Sequence, residues 1–475
     1  MYLHEKSQPG QPYEATEDGL DKRDDAQPSS RTGTRARSLT FFLLFVILLD
    51  TLSRLSRYCR HDVSSRPLPS VLTIEERVKE ILTFTPLIDG HNDLPIMIRV
   101  LYGNHINNET FQTPFETGKS PGHVDLARLR EGMNGGAFWS VFWECPDNMT
   151  DFSDEIYAPI VQATIQQVDL MTRLQEMYPT QFSPKVNSST ALAAFKKGQL
   201  ISPLGIEGLH QIGNSVANLR RFYDLGVRYA TLTHNCPNRF ADSAIWSNPT
   251  RKAPSYWGGV SEEGKRLVYE MNRIGMIVDL SHTSVETQLH VLGGGKDGWE
   301  GSKAPVIYSH SSAYSVCPHP RNVHDNVLEL VKQRNSIVMV NFSPDFVSCV
   351  EGNNENGLPD FYPPNSTLAH VAKHVIYIGN LIGFDYVGLG SDFDGIPSTP
   401  EGLEDVSKFP DLVAELLRQG VSDEDAAKVV GGNLLRVWKD IDAVGLEMQA
   451  RRYPTLEDDL PPLKFASSLD MMASF

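Results

Sequence analysis

Cysteine and positive charge are both scarce in this 475-residue sequence. The five cysteines, at 59, 145, 236, 317 and 349, include no C-x-x-C pair, which excludes a zinc ribbon or a thioredoxin-like motif and leaves free thiols or disulfides. Lys and Arg number 43 against 59 Asp and Glu, a net charge of −16, so a phosphate backbone would be repelled and nucleic acid is not an expected partner. No glycine-rich phosphate loop opens a helical pattern, so nucleotide use is unsupported. Long apolar runs are missing as well, apart from LTFFLLFVILL at 39–49.

That run has arginines on both sides, at 31, 35 and 37 and again at 54, 57 and 60. A bilayer core asks for about 20 apolar residues; the run approaches this only by continuing to Leu55 past Asp50 and Arg54. An uncleaved signal anchor is the expectation, giving a single-pass type II membrane protein with the main domain in the secretory lumen or outside the cell. A cleaved signal, which would give a secreted protein, and a buried core helix are the alternatives; no A-x-A-like cleavage triplet follows. Residues 1–38 are polar and without apolar periodicity and read as a disordered tail. Residues 39–55 are then the anchor, 56–72 a linker, 73–445 the main domain and 446–475 an extension. Five N-x-[ST] sequons occur; those at Asn108, Asn148, Asn187 and Asn365 sit in polar stretches as glycosylation candidates, while Asn341 lies in the apolar SIVMVNF and reads as buried.

From residue 73 the chain alternates short β-branched or aromatic runs with amphipathic segments, the pattern of βα units around a parallel sheet. Eight runs are found: 87–88, 136–143, 201–206, 227–233, 276–280, 305–309, 336–342 and 386–390. Eight strands with helices between them predict an α/β fold, a (β/α)₈ TIM-like barrel, whose active-site groups stand at the C-terminal strand ends. Those positions carry His91 and Asp93, Glu207, His234, His282, His310 and Asp392. Residues i and i+2 of an extended chain project to one side, so His91 and Asp93 can grip one ion together. Nitrogen and oxygen donors without thiolate suit Zn²⁺. Seven groups exceed the needs of one ion, and Glu207, between Gly205 and Gly208, suits a bridging carboxylate. Two zinc ions follow, one on His91, Asp93 and Glu207, the other on Glu207, His282 and His310.

The motifs LIDGHNDLP (87–95), GGAFWSV (135–141), GIEG (205–208), RYATLTHNC (228–236), DLSH (279–282), YSHSSAYSVC (308–317), RNV (321–323), GSDFDG (390–395) and GLEDVSKFPDL (402–412) resemble the membrane dipeptidase (renal dipeptidase) family over residues 73–440. The resemblance implies a two-zinc amidohydrolase-type barrel that cleaves unblocked dipeptides through a metal-bridging hydroxide, possible homodimers included. It implies the metal ligands named above, His234 steadying the oxyanion, Arg321 binding the substrate carboxylate and Asp392 handling protons. It also implies disulfides Cys145–Cys236 and Cys317–Cys349, leaving Cys59 over. The sequence departs from the pattern at its end: KFASSLDMMASF offers no tail for a glycolipid anchor, which puts the expected membrane attachment at the N-terminal run. Loops 247–264 and 351–367 look individual and are expected to set specificity. A different amidohydrolase, a lactamase or deacetylase, and a catalytically silent binding protein on the same scaffold are the competing readings.

Overall fold

The computed structural model describes residues 72–460. All eight expected strands are present: β1 (Leu87–Asn92), β2 (Asn134–Ser140), β3 (Leu204–Glu207), β4 (Val227–Thr231), β5 (Ile277–Asp279), β6 (Ile307–Tyr308), β7 (Ile337–Val340) and β8 (Val387–Leu389). They form one parallel sheet in sequence order. The sheet closes on itself, since Asp93 N donates to Phe393 O and Asp392 N to His91 O just past the ends of β1 and β8.

Helices cover the outside: α1 (Ile74–Phe84), α2 (Leu94–Tyr102), α3 (Asp154–Met177), α4 (Val216–Leu225), α5 (Glu262–Ile274), α6 (Val285–Val291), α7 (Asp325–Gln333), α8 (Leu368–Ile382), α9 (Phe409–Arg418) and α10 (Asn433–Ala450). The local reasons are visible in α5. Ser261 caps its N-terminus by accepting from Gly264 N, Glu262 and Glu263 occupy the positive first turn, and Gly275 takes the left-handed conformation (φ 78°) that ends it. Leu267, Val268, Met271 and Ile274 recur at helical spacing and are buried against the barrel.

Strand alternation splits the core in two. Ala137, Ile206, Ala230 and Val278 face the helices, while Ile88, Phe138, Tyr229, Ile277, Ile307 and Ile337 fill the barrel. Trp438 of α10 seals the floor, its ring 5.2 Å from Phe138. The polar groups are thereby confined to the opposite end. Past α10 the chain runs back along the barrel, where the Asp458 carboxylate accepts from Val216 N (2.6 Å) and Ala217 N (3.0 Å) at the start of α4.

The expected type II membrane placement is corrected. No helix among the described residues is long and apolar enough to cross a membrane, and residues 39–55, on which that reading rested, lie outside the described residues, as do the expected tail and Cys59. The sequon at Asn341 is buried, as read from its apolar surroundings; Asn108, Asn148, Asn187 and Asn365 are exposed.

Candidate metal centre and substrate cavity

Six of the eight strands deliver the expected polar groups at the end remote from Trp438. Glu207 is the last residue of β3, and His282 and Asp392, three residues past β5 and β8, take left-handed backbone (φ 63° and 67°), a costly conformation for these residue types. The seven groups expected at the mouth meet there. Glu207 Oε1 lies 2.9 Å from His282 Nε2, 3.3 Å from His310 Nε2 and 3.6 Å from His91 Nε2. His91 Nε2 is 3.0 Å from Asp93 Oδ2, and Asp392 belongs to the same cluster.

Burial lifts Glu207 well above the ordinary carboxylate range. Burial, then Asp93, push Asp392 up to about 7 against the pull of His91. Burial alone would lower His91, but Asp93 and Glu207 face it and raise it to about 10. His282 and His310 are held well below the usual histidine range, first by burial and then by neighbouring cationic groups. Three buried carboxylates and two neutral imidazoles thus share a small volume.

The donor set fits divalent cations. His282 Nδ1 faces Asn235 Oδ1 at 2.8 Å, an acceptor, so its proton is on Nδ1 and its Nε2 lone pair points at His310 Nε2, 2.8 Å away. Asp93 Oδ1 has no hydrogen-bond partner at all. Buried acceptors in such contact need a positive charge among them. By contrast, the grouping of Cys145, His210 and Cys236 is no ligand set, because the two sulfurs are bonded to each other.

A cavity of about 420 Å³ opens over the cluster, lined by Asp93, Met97, Phe142, His234, Phe346 and Ile396 among others. Arg321 lies behind Phe346, its guanidinium 5.0 Å from that ring. It is only 2% exposed, and its Nε and Nη1 have no partner. His234 is kept neutral mainly by burial, with its Nδ1 3.7 Å from Cys145 Sγ. Both disulfides form as the resemblance implied, Cys145–Cys236 and Cys317–Cys349. The first ties the β2 loop to the loop carrying His234. Lys252 N donates to Asn356 O (2.8 Å), so the two individual loops touch each other.

The chain is similar to known proteins in both sequence and fold. The family model for membrane dipeptidase, peptidase family M19, matches residues 75–452. The chain belongs to the membrane dipeptidase family. Among curated M19-like relatives, a dipeptidase of Aspergillus oryzae (aclJ) is 45% identical over 387 residues, covering 81% of this chain and 84% of the relative. A dipeptidase of Claviceps purpurea (tcpJ) is 44% identical over 375 residues, 79% and 81% of the two chains. In fold, the chain resembles the probable dipeptidase PvdM of Pseudomonas aeruginosa, with a TM-score of 0.66 at 21% identity over 78% of this chain and 99% of that one. A metallo peptidase of Rhodobacter sphaeroides, solved with a phosphinate mimic of the dipeptide L-Ala-D-Ala, gives 0.60 at 23% over 75% and 99%.

The groups that hold this M19 site in place carry no motif of their own that marks the role in the sequence. Tyr229 OH is 2.7 Å from His91 Nδ1, Asn341 Nδ2 donates to Asp392 Oδ2 at 2.9 Å, and Asn235 holds His282. Gly205 makes room for Tyr229, since a Cβ there would overlap the phenol ring. Tyr229 and Asn235 stand inside RYATLTHNC, the same motif as His234, so the available signal is a polar residue sharing a motif with a strand-end site residue.

Proposed function

We propose that this chain is a zinc metallopeptidase that hydrolyses the peptide bond of unblocked dipeptides. The observation that carries the reading is the convergence of three histidine Nε2 atoms on one carboxylate oxygen, Glu207 Oε1, beneath a cavity of dipeptide size. His91, Asp93 and Glu207 would hold one zinc, and Glu207, His282 and His310 the other. Two bound cations supply Lewis acidity toward a carbonyl and a water that ionises near neutral pH.

The chain's own groups do the rest. Asp392, held by Asn341 and raised to about 7, suits proton uptake near neutrality and delivery to the leaving amine. Neutral His234, on the cavity wall, donates to the oxygen on which negative charge grows. Arg321 has unmet donors at Nε and Nη1 on a planar guanidinium, a cation suited to a substrate carboxylate.

The test is release of amino acid from glycyl-D-alanine by the full chain, before and after chelation and again after zinc is restored. Activity lost with the chelator and regained with zinc is the expected result. A zinc-loaded protein inactive across a dipeptide panel would overturn the dipeptidase reading.

A further inference from the structure

Asp279 ends β5, is fully buried, and is not among the groups proposed above to touch cation or substrate. Its carboxylate accepts four hydrogen bonds. Oδ1 takes the backbone N–H groups of Ser281 (3.0 Å) and Ser309 (2.8 Å), and Oδ2 takes the hydroxyls of Thr231 and Ser309, both at 2.6 Å. Both hydroxyls donate to Oδ2, so each commits its single proton to Asp279. Ser309 Oγ also lies 2.8 Å from His310 Nδ1. With its proton turned to Asp279, that oxygen can only accept from the ring. The imidazole proton therefore sits on Nδ1, and Nε2 is a bare lone pair facing Glu207 Oε1.

We infer that Asp279 is a positioning residue of the metal centre, holding His310, through the Ser309 hydroxyl, as the Nδ1–H tautomer whose Nε2 is free to ligate. The inference rests on the two-zinc reading above. It makes Asp279→Asn a tautomer switch rather than a simple deletion. The two backbone N–H groups at the Oδ1 position demand the amide oxygen there, which turns the amide NH₂ toward Thr231 and Ser309. The Ser309 hydroxyl then accepts from the amide and its freed proton turns to the nearer acceptor, His310 Nδ1 at 2.8 Å rather than Ser281 Oγ at 3.3 Å, and the ring proton moves to Nε2, where it blocks a cation.

The experiment is zinc titration of the full chain against a chromophoric chelator, with unfolding midpoints measured alongside, for wild type, D279N, S309A and T231V. Thr231→Val removes the other hydroxyl from the same carboxylate oxygen without touching His310, so it matches S309A in any merely structural role. Expected are two zinc ions on wild type and on T231V at equal affinity. One of the two should be weakened about 10- to 100-fold in D279N, the range usual for lost outer partners, and by less in S309A. Equal zinc affinity in S309A and T231V, or wild-type affinity in D279N, would overturn the inference. Should D279N not fold, the S309A and T231V comparison still decides. A wild-type chain that holds no zinc would overturn the two-zinc reading and this inference with it, a result distinct from two zinc ions left unaffected by every variant.

Discussion

Arg321 places a full positive charge with two unmet donors inside the protein, 2% exposed and packed on Phe346. Each buried donor left without a partner costs about 1–3 kcal/mol, so the residue is a burden on the free protein. Replacing it with a flexible apolar chain, Arg321→Met, should raise the unfolding free energy of the metal-free protein while removing dipeptide hydrolysis. Urea unfolding and amino acid release on the same preparations check both halves; a less stable R321M would show that the guanidinium is already satisfied without substrate. Arg321→Lys keeps the charge but not the planar guanidinium, and should raise KM more than it lowers kcat. From the sequence alone Arg321 could equally be a solvated loop arginine. What settles its burial is Phe346, 25 residues further on, and a contact so far away along the chain leaves no local pattern.

At the scale of elements, His374 on α8 joins two loops of the site end. Its Nδ1 accepts from Ala313 N (3.0 Å) and its Nε2–H donates to Val347 O (2.8 Å), all buried. Those loops also carry Cys317 and Cys349, and the first leads to Arg321. His374→Ala would strand a buried N–H and a buried carbonyl, destabilising the chain by on the order of 3 kcal/mol. KM for a dipeptide should rise with it, as Arg321 loses its seat. A stability loss below about 1 kcal/mol, the net value of one ordinary hydrogen bond, would mean that the loops hold each other without the ring. The strands were legible in the sequence because β-branched runs such as SIVMV and MIVDL stand out against polar turns. The site was legible because its ligands sit where those runs stop. The supports were not, since Ser309, Asn341 and His374 look like any other polar residue until the barrel brings them against a ligand or a loop.

For the whole molecule, two buried populations respond to pH in opposite senses. His210, His319 and His374 are lowered by burial to about 4, 3 and 3. Below about 6.5, the unfolded histidine value, the unfolded chain binds protons that the folded one refuses. The stability these residues allow is therefore intact above that pH and drains away as pH falls toward the folded values. Asp392 and Asp394, raised mainly by burial to about 7, act the other way. Their folded forms favour the proton, so what they contribute is present below about 4 and is lost as pH rises to about 7. The metal-free chain is thus most stable at mildly acid pH. Cations compete with those protons, so the rise in unfolding temperature on adding zinc should be larger at pH 8 than at pH 5.5. Scanning calorimetry at the two pH values checks it, and an equal rise at both would contradict the assignment of Asp392 to the cation environment.

Closure between β1 and β8 has a bearing on how the protein is made. His91 and Asp93 leave the ribosome some 300 residues before Asp392, yet the hydrogen bonds that seat them run to the chain just beyond β8, from Asp93 N to Phe393 O and from Asp392 N to His91 O. A nascent chain presents the early ligands without the wall that orients them. Zinc capture on the proposed centre then waits for the eighth strand, and a bound ion certifies that the chain has folded through β8.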